Sequence, residues 1–156
     1  MVRLRNELPV AVQITNLLHR YADCIDSADF EGGADLFAYG ALLSGGQRFE
    51  GREAIVALWR SFVRLYDDGT PKTRHIITNP IIGLSPDGEE ATCRSQWTVL
   101  QAAPGFPLQV IGSGRYHDRF RQIDGAWHFT LREYAQIDLA GDFSAHLLQS
   151  YRQEDA

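Results

Sequence analysis

The sequence predicts an α+β domain, with helices packed on one face of a long, curved, mostly antiparallel sheet. Three observations carry that expectation. Apolar residues recur at helical spacing as far as Tyr66. From Thr73 onward the period changes to two. Turns at 85–88, 104–107 and 124–125 divide this second half into strands joined by hairpins, which makes an antiparallel meander. Such a sheet, curling around helices packed on one face, would leave a conical pocket.

Each element has its own signature. Residues 10–26 place Ile14, Leu17, Leu18, Tyr21, Ala22 and Ile25 on one stripe, the pattern of an amphipathic helix. Asp26 lies one turn beyond Ala22, at the end where the helix dipole gives a carboxylate no support. Ser27 and Asp29 are caps for a short second helix that turns Phe30, Ala34 and Phe37 inward. Residues 41–49, broken by Gly45-Gly46, read as a small hairpin. Gly51-Arg52-Glu53 opens a third helix carrying Ile55, Leu58, Trp59, Phe62 and Leu65 or Tyr66. Residues 67–71 end it, because glycine and proline do not continue a helix cheaply. Strands follow at about 73–84, 89–101, 108–122 and 126–137, and 141–151 reads as a short helix through Phe143, Leu147 and Leu148.

The 156 residues suit a single domain, with a core at about 10–138 and a tail at 139–156. The net charge of -5 argues against non-specific nucleic-acid binding, which needs a basic face. No apolar run approaches the roughly 20 residues of a membrane span. The polar N-terminus lacks the apolar core of a signal peptide, and Cys24 and Cys93 show no metal-ligand spacing. Both observations lead us to expect a cytoplasmic protein with two reduced thiols. No glycine-rich phosphate loop or dinucleotide fingerprint is present, so no cofactor is expected.

Residues 73–82 hold the most informative stretch. Strand alternation puts His75, Ile77 and Asn79 on one face and Arg74, Ile76 and Thr78 on the other. A histidine beside Ile77 points toward the interior, where a titratable ring needs an acidic partner, and Asp26 is the candidate. His19, His117, His128 and His146 form no metal-ligand pattern and read as surface residues. Arg115, His117, Arg119 and Arg121 alternate onto an outer face suited to a polar, wet interface.

Five segments carry a resemblance. They are Tyr21-Ala22-Asp23-Cys24-Ile25-Asp26-Ser27-Ala28-Asp29-Phe30, Phe49-Glu50-Gly51-Arg52-Glu53-Ala54-Ile55, Thr73-Arg74-His75, Gly114-Arg115-Tyr116-His117-Asp118 and Asp124-Gly125-Ala126-Trp127. In order and spacing they resemble the SnoaL-like branch of the nuclear-transport-factor-2-like superfamily, over about residues 10–138. The resemblance implies a cone of three helices and a curved sheet, which hosts lyases, isomerases and cyclases as well as non-catalytic subunits. Scytalone dehydratases and hexachlorocyclohexane dehydrochlorinases use an aspartate ending the first helix and a histidine on the strand after the third. Asp26 and His75 stand at those positions.

Other positions depart from both enzymes. Tyr21 stands where the dehydrochlorinase has a lysine, and Tyr116 where the dehydratase has an asparagine. Leu100 or Gln101 falls where the dehydratase has a second histidine, and Ser44-Gly45-Gly46 holds no tyrosine. Arg132 matches an arginine on the last strand, although it reads equally as half of a surface ion pair.

The resulting expectation is a cofactor-independent lyase, dehydratase or isomerase acting on a small cyclic or aromatic substrate. His75 abstracts a proton, and Asp26 fixes the ring tautomer and stabilises the imidazolium, as the orienting carboxylate does in hydrolase triads. Tyr21, Asn79, Trp97, Tyr116 and Arg132 are the candidate substrate-binding residues. Tyr116 and Trp97 read also as core, and Asn79, before Pro80, as a turn residue. No metal is expected, and the resemblance implies a homo-oligomer, trimer or dimer. The alternative is a non-catalytic ligand-binding or oligomerisation module resembling the small subunit of ring-hydroxylating dioxygenases, or a polyketide cyclase.

Overall fold

A computed structural model describes residues 8–149. Its elements run α1 (Val10–Asp26), α2 (Phe30–Asp35), β1 (Ala41–Ser44), β2 (Gln47–Glu50), α3 (Arg52–Phe62), β3 (Thr73–Leu84), β4 (Glu90–Ala103), β5 (Phe106–Ile123) and β6 (Ala126–Ala140). The strands form one sheet in the order β2-β1-β6-β5-β4-β3. The meander β3 to β6 is antiparallel throughout, and β1 joins it parallel to β6.

The helical stripe on α1 is buried along its whole length, from Ile14 to Ile25. It packs with Phe30, Ala34 and Phe37 around α2, and with Ile55 and Trp59 of α3, against the inner face of the sheet. That face is built in cross-strand rows. His75, Val99 and Gly112 form one row, and Ile77, Trp97, Gly114 and Ile137 the next. Then come Ser95, Tyr116 and Tyr134, and after them Ile82, Cys93, Asp118, Arg132 and Leu42. The indole of Trp97 occupies the space a side chain at Gly114 would need, since a Cβ there would lie 2.6 Å from it.

Four details depart from the sequence reading. Ser27 does not cap α2; its hydroxyl donates back to the Asp23 and Cys24 carbonyls and closes α1, while Asp29 alone accepts from Gly32 N–H. The third helix stops at Phe62, because Val63 turns extended and pairs with Leu147, leaving Phe62 and Leu65 exposed. The segment after β6 is no helix, as far as Gln149. A single turn forms, with His146 and Leu147 N–H to the Phe143 carbonyl, and around it the backbone bonds outward, with Leu148 N–H to the Phe62 carbonyl and Arg64 N–H to the His146 carbonyl. Finally, alternation along β3 breaks at Asn79. A register shift falls between Thr78 and Ile81, and Asn79 takes a left-handed φ of 51°, a conformation asparagine tolerates better than most residues.

Candidate functional site

Asp26 and His75 meet where the C-terminal end of α1 crosses the start of β3. β3 is an edge strand, so alternate backbone N–H groups on its free side lack a ladder partner. The N–H of His75 is satisfied by Asp26 Oδ2 at 2.7 Å. The ring Nδ1 of the same residue lies 2.6 Å from Asp26 Oδ1, and the Thr73 hydroxyl donates to that oxygen at 2.8 Å. The side chains are nearly enclosed, 8% exposed for His75 and 13% for Asp26.

Three donors on one carboxylate explain how it tolerates a helix C-terminus. Burial pushes the Asp26 carboxyl up, but the ring bond and charge of His75, its backbone N–H and the Thr73 hydroxyl outweigh that and hold it below its ordinary value. An ionised carboxylate only accepts, so Nδ1 carries a proton and the bond turns Nε2 away from Asp26. With Nε2 unprotonated the ring is an oriented base, and its conjugate acid has a counter-charge in place.

The other expected residues divide. Tyr21, Tyr116 and Arg132 come together deeper in the cone. The Arg132 guanidinium carbon lies 4.2 Å from the Tyr21 ring centre and 3.9 Å from that of Tyr116. Trp97 packs beside Tyr116 with ring centres 6.1 Å apart. The Tyr21 hydroxyl lies 2.5 Å from that of Tyr134, which also accepts from the Trp59 indole N–H. Burial pushes all three tyrosines, 21, 116 and 134, above their ordinary value, so each is a neutral phenol.

Arg132 is an ion pair, but not at the surface as its sequence position suggested. Both it and Asp118 are fully buried, joined by two bonds of 2.8 Å and 2.7 Å. Asn79 lies apart from these residues. It is exposed and donates to Gln96 on the outer face, a consequence of the bulge in β3.

The surface reading of the remaining histidines also needs correction. His19 is exposed, His117 and His128 are half-buried, and His146 is buried with its ring 6.4 Å from that of His75. Among the described residues, no group of three or more histidine, cysteine, aspartate or glutamate side chains is placed to hold a metal ion. A surface cleft of about 380 Å³ lies between α2 and the β1–β2 hairpin and includes none of these residues. Its arginines, Arg48 and Arg52, already face Glu50 and Asp35, so the chemistry and not this cleft locates the site.

Thr73 was legible in principle, since it shares the β3 face with His75 at a spacing of two. Asp118 was likewise legible in principle, as a carboxylate that alternation puts on the inner face with Tyr116. Tyr134 and Trp59 carry no sequence signal that separates them from ordinary core. His146 carries none either, because only the course of the chain after β6 brings it to His75.

The model of the SnoaL-like domain matches residues 6–133. The chain belongs to the SnoaL-like family. Solved structures agree with that membership. Rv3472(D26N), a protein of unknown function from Mycobacterium tuberculosis, is 30% identical with a TM-score of 0.67, over 82% of this chain and 71% of its own. A protein of unknown function with a cystatin-like fold from Nostoc punctiforme is 28% identical with a TM-score of 0.65, over 81% and 92%. ActVI-ORFA of Streptomyces coelicolor, 18% identical with a TM-score of 0.66 over 83% and 97%, shares the SnoaL-like fold. The chain matches no curated protein sequence.

Proposed function

We propose that this SnoaL-like protein is a cofactor-independent lyase, dehydratase or isomerase of a small cyclic or aromatic carbonyl compound. The observation that carries the reading is the bond between His75 Nδ1 and Asp26 Oδ1, at 2.6 Å in a nearly enclosed site. His75 Nε2 takes a proton from the carbon next to the carbonyl. The C–H electron pair moves into an enolate, and the imidazolium so formed faces the Asp26 carboxylate. In elimination the enolate collapses, a β-hydroxyl leaves, and the imidazolium returns its proton to make water. In isomerisation the proton returns to another carbon. Tyr21, Trp97, Tyr116 and Arg132 shape the inner end of the site.

The test is deuterium uptake. Cyclic ketones and β-hydroxy ketones are incubated with the protein in heavy water and followed by proton NMR. Protein-dependent loss of the carbon-bound proton is expected, together with its disappearance in His75→Ala. Uptake that survives in purified His75→Ala overturns the reading.

The low exposure of both side chains supports a second reading, a non-catalytic ligand-binding module. Saturable binding of such ketones without exchange would favour it. A cytoplasmic location is supported by Cys24 and Cys93, which stand as free thiols. A homo-oligomer is supported by exposed Ile76 and Leu139, which end one outer-face row through Thr98 and Ser113. Leu139→Glu is expected to lower the mass measured by light scattering.

A further inference from the structure

The chain after β6 does not leave the domain. Gly141 N–H bonds the Ile111 carbonyl, Phe143 lies over Gly112, and the Ala145 carbonyl accepts from the Tyr66 hydroxyl at 2.5 Å and from the Gln101 amide at 3.0 Å. Leu147 then pairs with Val63. This strap passes over the row that holds His75, Val99 and Gly112, and it carries one polar ring, His146, into the cone. His146 is 7% exposed, and its Nδ1 is shut off from solvent without a hydrogen-bond partner. A buried polar nitrogen left without a partner is uncommon in a folded protein and calls for an explanation. Here it sits in a ring beside the candidate base, with ring centres 6.4 Å apart and planes at 68°.

We propose that His146 is the second imidazole of the site, a neutral hydrogen-bond donor to the substrate oxygen on which charge develops while His75 takes the carbon-bound proton. The proposal rests on His75 acting as the base. His146 transfers no proton: the proton goes from carbon to His75 Nε2 and then to the departing hydroxyl or to another carbon. The donor is worth most in the enolate state, because a fixed donor in a water-poor site needs no reorganisation as charge appears.

The charge state of the ring fits the role. Burial above all, and His75 after it, lower the His146 value to about 4, against a smaller opposing effect of Asp26, so the ring is neutral at ordinary pH. The groups facing it are His75 on β3, Asp26 at the end of α1, and Arg64 and Tyr66 after α3, which hold the strap through a backbone N–H and a hydroxyl. The substrate this selects is an uncharged carbonyl compound, since a carboxylate would meet Asp26 and a neutral donor.

The test uses the full chain labelled with nitrogen-15 at histidine. The His146 ring is expected to stay neutral from pH 8 down to about 4, and to take up its proton at higher pH in His75→Gln, because His75 is one of the groups that lower the His146 value. A ring that titrates near 6.5, or that ignores His75→Gln, overturns the proposal. On a ketone that the parent protein exchanges, His146→Phe is expected to lose about a hundredfold or more in kcat with little change in KM, and His146→Gln, which keeps an N–H donor, to recover most of it. Exchange that survives His146→Phe but not His75→Ala removes this proposal and leaves His75 as the base. Exchange that survives His75→Ala removes the parent reading.

Discussion

The guanidinium of Arg132 lies against the rings of both Tyr21 and Tyr116 while both of its bonded nitrogens face Asp118, and neither member of that ion pair touches water. Burial pushes the Asp118 carboxyl up; the bidentate partner opposes that, with His117 adding a smaller effect in the same direction as the partner. Breaking such a pair strands a charge. Asp118→Ala is expected to cost about 3–5 kcal/mol in urea unfolding, whereas replacing both residues with apolar ones of similar volume costs far less. Equal losses in the single and double variants would mean that packing, and not the stranded charge, dominates.

Asp26→Asn keeps the shape of the carboxylate but leaves only one acceptor oxygen for three donors. The expected loss is about 1–3 kcal/mol of stability, from at least one buried donor left without a partner. Deuterium exchange should fall in the same variant by orders of magnitude. Thr73→Val removes one donor and nothing else, so it should cost about 1 kcal/mol and leave measurable exchange. Unfolding curves and exchange rates on the same preparations separate the two effects.

Acid should weaken the fold in two adjoining windows. The folded value of His146, about 4, lies below the unfolded value of about 6.5, so the unfolded chain binds that proton first as the pH falls. The contribution of His146 is therefore complete above about pH 6.5 and drains away toward pH 4, on the order of 3 kcal/mol in all. Asp26 is also held below its unfolded value; its contribution is complete above about pH 3.9 and is lost as the pH falls through the lower folded value. Urea midpoints between about pH 7 and pH 4.5 should fall steadily in the parent and much less in His146→Phe.

Gly114→Ala tests the packing of the second row. A Cβ there would stand 2.1 Å from the Gln136 carbonyl and 2.6 Å from the Trp97 indole, and the first is backbone that cannot step aside. A loss of about 1–3 kcal/mol is expected, with a change in tryptophan fluorescence. Asn79→Ala, on the outer face, should leave exchange unchanged, and a loss of exchange there would place the substrate on the wrong side of the sheet.

The fold was readable because its signals are periodic. The stripe on α1 and the alternation from Thr73 each survive in the structure, and the turn residues at Gly88 and Gly125 fall where positive φ is needed. Asp26 and His75 were found through family resemblance joined to that alternation. Alternation failed at Asn79 because a bulge inserts residues without changing composition. Arg132 misled because an arginine on a strand gives no sign of whether its carboxylate partner lies in the same interior row. His146 was lost because the strap obeys no period: its path is set by backbone bonds to Phe62, Arg64 and Val63, which no local pattern encodes.

The bond from His75 N–H to Asp26 also bears on solubility. β3 is the last strand of its sheet, and Ile76 and Ile81 stand exposed along it. A free edge of that kind recruits strands from other molecules. The carboxylate that would serve the chemistry is thus also a stopper on the edge. Loss of the Asp26 carboxylate would open the edge as well as remove the partner of the proposed base, so the aspartate has a use that does not depend on the proposed chemistry.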